Sequence, residues 1–89
     1  MMVIKKDGRL DEFNLQKIVT SILNATNSSK EMLNESDIKI IAGDIEKLLI
    51  KIRGEYANTS SYEIIGIVIG ILKRDGFDDI IHKYLDYKE

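Results

Sequence analysis

The sequence has no cysteine, no proline and no tryptophan, and it has a single histidine. Without cysteine there is no disulfide scaffold, no zinc ribbon and no thiol chemistry, and a reducing compartment is expected. One histidine, His82, cannot build a histidine-based metal site, and no carboxylate–histidine ligand set accompanies it. Long apolar runs are missing too. The longest is the stretch Ile64-Ile65-Gly66-Ile67-Val68-Ile69-Gly70-Ile71-Leu72, far short of the roughly 20 residues a membrane-spanning helix needs. The apolar start Met1 to Ile4 is cut off at once by Lys5, Lys6 and Asp7, so it forms no signal-peptide core. The chain reads as cytoplasmic, with no membrane partner. Charge of one sign is also lacking: 15 acidic residues face 13 basic ones, a net charge of −2. Nucleic-acid binders are usually markedly basic, so nucleic acid on its own is not an expected partner.

What is present suits one small folded domain spanning residues 1–89. Hydrophobic residues make up 44% and charged residues 31% of the 89 positions, the balance of a globular chain. Isoleucine alone fills 16 of them, a residue that favours strands over helices. Spacing therefore has to decide. Asp7-Gly8 between two short extended stretches predicts a hairpin over about 2–13, with strands near 2–6 and 9–13 and a type I′ turn. Asn14 is a helix cap, and Leu15, Ile18, Val19, Ile22 and Leu23 recur at helical spacing behind it. A second helix, over about 37–53, follows Ser36 as a cap candidate and keeps Ile38, Ile41, Ile45, Leu48, Leu49 and Ile52 on one face. Gly54 ends it. Ser60 and Glu63 form an S-x-x-E capping box that opens a third helix over about 61–75. That helix is apolar nearly all round and reads as central and buried, with Gly66 and Gly70 allowing a neighbouring helix to approach. Gly76 suits a left-handed helix end, and a last helix covers about 78–87. The first helix is expected over about 15–27. The fold class is α+β, mainly α.

The chemistry points to an anion. Lys5, Lys6 and Lys17 gather near the start, although strand alternation would put Lys5 and Lys6 on opposite faces. Lys17 falls in the first turn of a helix capped by Asn14, where a cation opposes the helix dipole. A residue set against its local preference suits an anion brought there, and helix N-termini hold phosphates well. Lysines on a hairpin also serve simply as solvated edge protection. No Ser-His-Asp set and no G-x-x-x-x-G-K-[ST] loop is present, so any triphosphate is held otherwise than in P-loop proteins. His82 reads as a surface residue, and Tyr84 and Tyr87 as partly buried packing.

The run Val3-Ile4-Lys5-Lys6-Asp7-Gly8-Arg9, then Asp11-Glu12-Phe13-Asn14 and Lys17-Ile18, resembles the opening of the ATP-cone domain. The closing stretch Gly76-Phe77-Asp78-Asp79-Ile80 to Tyr84-Leu85-Asp86-Tyr87 fits the same family, so the resemblance covers essentially the whole chain. It implies a small N-terminal sheet capping a four-helix bundle, with ATP or dATP bound beneath the sheet together with Mg²⁺. Such cones stand at the N-terminus of ribonucleotide reductases, in a bacterial repressor of reductase genes, and occasionally alone. Carried over by position, Val3, Ile4, Lys5 and Lys6 would line the nucleotide, contacting phosphates or base. Asp11, Glu12, Phe13 and Asn14 would form the wall down to Lys17, the principal phosphate ligand. Ser60 or Ser61 would add a hydroxyl.

Four departures stand out. Lys6 replaces the usual arginine, Asp11 the commoner glutamate, and Ile65 an often polar residue. Basic residues beyond the last helix are also missing. They bear on the choice between ATP and dATP more than on phosphate binding. The resemblance implies an allosteric regulatory module, not an enzyme, signalling to a reductase subunit or through self-association. The alternative is a degenerate cone that acts only as a protein-interaction module without nucleotide.

Overall fold

In the computed structural model residues 1–88 are described, Tyr87 and Lys88 as backbone only. The packing expected of Tyr87 and the reading of Glu89 as a charged tail lie outside the described residues. The element order is β1 (Met2–Ile4), β2 (Leu10–Glu12), α1 (Leu15–Asn27), α2 (Glu35–Arg53), β3 (Asn58–Ser60), α3 (Ser61–Arg74) and α4 (Asp78–Lys88). The fold is thus mainly helical, four helices with one small sheet.

The hairpin differs from the expected turn. Its strands end at Ile4 and begin again at Leu10, with Ile4 opposite Leu10 and Met2 opposite Glu12. Gly8 N–H donates to the Lys5 carbonyl (2.9 Å) and Lys5 N–H to the Arg9 carbonyl (2.8 Å). Within the turn Gly8 alone takes a positive φ, +87°, and among the described residues no non-glycine residue does. A type I′ turn would need positive φ at Asp7 as well. Asp7 instead keeps an ordinary backbone and spends its carboxylate on Arg9, whose N–H and Nε both donate to it.

The sheet has a third strand that the sequence reading passed over. β3 pairs parallel to β1, Val3 beside Thr59 and Ile4 beside Ser60, giving the order β2-β1-β3. Val3 and Thr59 are both buried, so this pairing fixes the start of α3 against the hairpin.

Helix ends follow from local chemistry. α2 is capped by Asn34, not Ser36: Asn34 Oδ1 accepts from Asp37 N–H (2.8 Å) and Asp37 returns the bond to Asn34 N–H (3.3 Å). That reciprocal box satisfies two groups at once and starts the helix at Glu35. Gly54 closes α2 at φ +87°. At the end of α3 Gly76 takes φ +84°. There Phe77 N–H donates to the Leu72 carbonyl and Gly76 N–H to that of Lys73, the pair of bonds that define a Schellman ending.

All four helices feed one core, in which Ile22, Ile45, Leu49, Val68, Leu72 and Ile80 are fully buried. Ile18, Ile38, Ile41 and Ile71 join them. The branched side chains pack well there because the spacing of 3 and 4 keeps them on one stripe of each helix. α3, however, is not buried all round. Tyr62, Gly66, Gly70 and Lys73 share an exposed face, and a Cβ at either glycine would meet nothing within 4 Å. No neighbouring helix uses that approach. His82 is exposed as expected, whereas Tyr84 is completely rather than partly buried. Among the described residues no helix is long and apolar enough to cross a membrane.

Candidate functional site

A cavity of about 400 Å³ opens between the hairpin and helices α1, α3 and α4. Volumes of about 300–1,000 Å³ are usual for small-molecule sites. Four cations line it, Lys5, Lys6, Arg9 and Lys17, against the carboxylates of Asp7 and Glu12. The rest of the wall is apolar (Val3, Phe13, Ile18, Ile64 and Ile65) or carries single polar groups (Asn14, Ser21, Ser61 and Tyr84).

Because β1 stops at Ile4, Lys5 and Lys6 belong to the turn rather than to a strand. Alternation no longer separates them, and both reach the same cavity, which corrects the expectation of opposite faces. α1 supplies the opposite wall. Asn14 Oδ1 caps it by accepting from Gln16 N–H (3.0 Å), which sets Lys17 in the first turn. Its Nζ lies 3.7 Å from Asp11 Oδ2, both side chains being at least half exposed, so this pair is weak and readily exchanged. Ser21, one turn further on, donates its hydroxyl to the Lys17 carbonyl (2.9 Å).

The electrostatic setting favours a guest anion. Asp7 is already committed: the Arg9 backbone N–H, helped by the guanidinium, holds its carboxyl below the ordinary 3.8. On the α3 side the capping box is only half formed. Ser60 Oγ accepts from Glu63 N–H (3.1 Å), but the Glu63 carboxylate turns away to Arg53 Nη2 (2.7 Å) and Thr59 Oγ1 (2.6 Å). That leaves Ser60 as a structural cap and Ser61 at the cavity wall. At the floor stands Tyr84 of α4, whose hydroxyl is pushed up to about 12 by burial.

Of the residues singled out in the sequence, Val3, Lys5, Lys6, Glu12, Phe13, Asn14, Lys17 and Ser61 line this cavity, and Ile4, Asp11 and Ser60 do not. Ile4 and Asp11 are both exposed. Sequence reasoning missed Asp7, Arg9, Ser21, Ile64 and Tyr84. Ser21 was within reach, since Asn14, Lys17, Ile18 and Ser21 are spaced as one helical face. Tyr84 carried no such signal.

The ATP cone domain family matches the chain over residues 1–89. This chain belongs to the ATP-cone family. Cones of this family bind ATP or dATP in general and act as nucleotide-sensing regulatory modules. A curated relative, the transcriptional repressor NrdR of Anaplasma phagocytophilum (strain HZ), is 28% identical over 93 aligned positions, which take in 100% of this cone and 58% of that repressor. The cone therefore spans a little over half the length of the relative it matches.

Proposed function

We propose that this cone binds ATP or dATP in the cavity between the hairpin and α1, α3 and α4, and passes occupancy to a partner. The observation that carries the reading is the convergence of Lys5, Lys6, Arg9 and Lys17 on one cavity that has, among the described residues, only two carboxylates, Asp7 and Glu12, in its wall, in a chain that belongs to a nucleotide-binding family. Four cations suit a triphosphate, and the isoleucines of α1 and α3 suit the flat face of a base. Lys17 would be the principal phosphate ligand, Lys5 and Lys6 would close over the chain of phosphates from the turn, and Ser61 would offer a hydroxyl. Mg²⁺ would arrive on the phosphates, because it keeps most of its waters and needs only one or two carboxylates; Glu12, at the cavity wall, would share it.

The module is read as a regulator rather than a catalyst. A ligand shifts an equilibrium only by its differential affinity for two states, and the hairpin, held to the helices through β3, is the element poised to differ between them. The receiving partner would be a ribonucleotide reductase subunit, a second copy, or a transcriptional apparatus like that named for the relative. Calorimetric titration of the folded chain with ATP and dATP tests the reading. Saturable binding is expected, weakened by about 1.5–3 kcal/mol in Lys17→Ala, the scale of a charge-assisted contact. No heat at millimolar nucleotide would sink it.

A second reading has its own observation. Ile4 and Leu10 are cross-strand partners and both are exposed, and the glycine face of α3 is open. These favour a cone that serves only protein association, for which assembly indifferent to nucleotide on size exclusion would be the sign.

A further inference from the structure

Outside the cavity wall, at the second position of α3, stands Tyr62, its side chain 67% exposed. The Lys6 ammonium lies 5.8 Å from the centroid of its ring, within reach of a cation–π contact. Lys6 is one of the cations that line the cavity, whereas Tyr62 is not a lining residue. The sheet explains why they meet. Parallel pairing puts Ile4 beside Ser60, so the hairpin turn and the first turn of α3 diverge from one point. Two residues beyond it on either side, Lys6 and Tyr62 span the gap.

Both sides are anchored, the turn also through the Arg9 N–H and Nε that donate to Asp7. The start of α3 is fixed by the Ser60 cap and by the Arg53–Glu63–Thr59 cluster. The turn bearing Lys6 is closed by the Lys5–Arg9 and Gly8–Lys5 backbone bonds. The ring is thus presented by α3 and the ammonium by the hairpin turn.

We propose that Tyr62 is a positioning residue for the nucleotide site: its ring holds the Lys6 ammonium at the cavity mouth and ties the hairpin turn to α3 before the ligand arrives. The proposal rests on the nucleotide reading above. A lysine loses much rotamer freedom when it is fixed, and fixing it beforehand lowers the cost of binding. The ring meets the charge of the ammonium on one side only, and an ammonium has three N–H donors, so the ring contact is compatible with a phosphate contact. The benefit falls on the phosphates, not on the base. ATP and inorganic tripolyphosphate should feel it, and adenosine should not.

The test is a double-mutant cycle in the full chain, with Tyr62→Ala, Tyr62→Phe, Lys6→Met and the Ala–Met double variant, titrated with ATP, tripolyphosphate and adenosine. Tyr62→Ala should weaken ATP and tripolyphosphate about two- to fivefold. Tyr62→Phe should restore the affinity, and Tyr62→Ala should cost nothing further in the Lys6→Met background. An equal loss in both backgrounds, no loss, or tighter binding by Tyr62→Ala overturns the proposal. A second measurement needs no nucleotide: amide exchange at Lys5 and Gly8 should quicken in Tyr62→Ala and recover in Tyr62→Phe. Unchanged exchange overturns the tie between turn and helix. Absence of ATP binding by the wild-type chain would overturn the nucleotide reading instead, while the exchange measurement still decides the tie.

Discussion

α4 begins without a side-chain cap of its own. The backbone N–H groups of Asp79 and Ile80 both donate to Glu31 Oε1, at 2.7 and 3.0 Å, across nearly fifty residues of chain. The favour is returned, since Asp79 Oδ2 accepts from Ser29 Oγ (2.7 Å) and Lys30 N–H (3.0 Å). Ser29 Oγ in turn accepts from Glu31 N–H. Two carboxylates thus lock the α1–α2 connection onto the start of the helix that carries Tyr84. Glu31→Ala would leave two first-turn N–H groups without their acceptor, the equivalent of losing an N-cap, about 0.5–2 kcal/mol. It would also remove a charge favourable to the helix dipole, about 0.3–1 kcal/mol. A total of about 1–3 kcal/mol is a sizeable part of the roughly 5–13 kcal/mol that holds a domain of this length together. Thermal unfolding followed by circular dichroism should show Tm lowered by about 4–24 °C. Glu31→Gln keeps an acceptor oxygen and loses only the charge, so it should cost less than half as much. Asp79→Asn combined with Glu31→Ala should fall short of additivity, because the two residues secure the same junction. A loss under about 0.5 kcal/mol for Glu31→Ala, or glutamine as costly as alanine, would refute the reasoning.

Acid should unfold the cone through three carboxyls held below their ordinary values of 3.8 and 4.5. Asp7 is held there by the Arg9 backbone N–H, Glu63 by Arg53 and then Thr59, and Asp79 by the Ser29 hydroxyl and then Lys30 N–H. The unfolded chain then takes up protons first as pH falls, so stability is complete above about pH 5 and drains away through and below the ordinary carboxyl range. Urea titrations across that range check this, and Glu63→Gln should flatten the slope. At the alkaline end the sign reverses: the Tyr84 hydroxyl, raised from 10.0 to about 12, contributes stability that is full below pH 10.0 and lost as pH rises to about 12. A few kcal/mol at most, on the order of 1.4 for each pH unit, rides on that shift. Tyr84→Phe should remove this pH dependence, and an identical alkaline profile in the two proteins would refute the assignment.

The helices were readable because isoleucine at spacings of 3 and 4 leaves few alternatives to an amphipathic helix, whatever its propensity. Their starts were less so. Ser36 and Asn34 are both good caps, and only the reply from Asp37 decides between them. β3 could not be read at all: Asn58-Thr59-Ser60 is three polar residues, and its partner lies more than fifty positions away in a parallel pair that no local signal announces. The turn type depended on where the strands stop, and with it the orientation of Lys5 and Lys6. For the cavity, the contiguous N-terminal run and Lys17 were legible as one cluster of charge. Tyr84 was not, because it enters from α4 through tertiary packing and looks in sequence like any core aromatic.

The electrostatics of the four helix starts bring the cavity and the fold together. α2, α3 and α4 each carry acids in the first turn, namely Glu35 and Asp37, Glu63, and Asp78 and Asp79. α1 carries none and has Lys17 there instead, a placement that costs a helix roughly 0.3–1 kcal/mol. Its counter-charge, Asp11, stands at 3.7 Å and half exposed, where solvent screening leaves it a weak partner. Three further cations converge on the same spot from the hairpin, and one of the two carboxylates nearby is taken up by Arg9. The cone thus holds like charges together at one helix end, partly offset by Asp7 and Asp11, while the other three ends carry acids of their own. An anion of several charges would relieve that repulsion and complete the α1 terminus in one step. On the nucleotide reading proposed above, the cations that oppose one another at this corner are therefore the ones that would give a triphosphate its affinity.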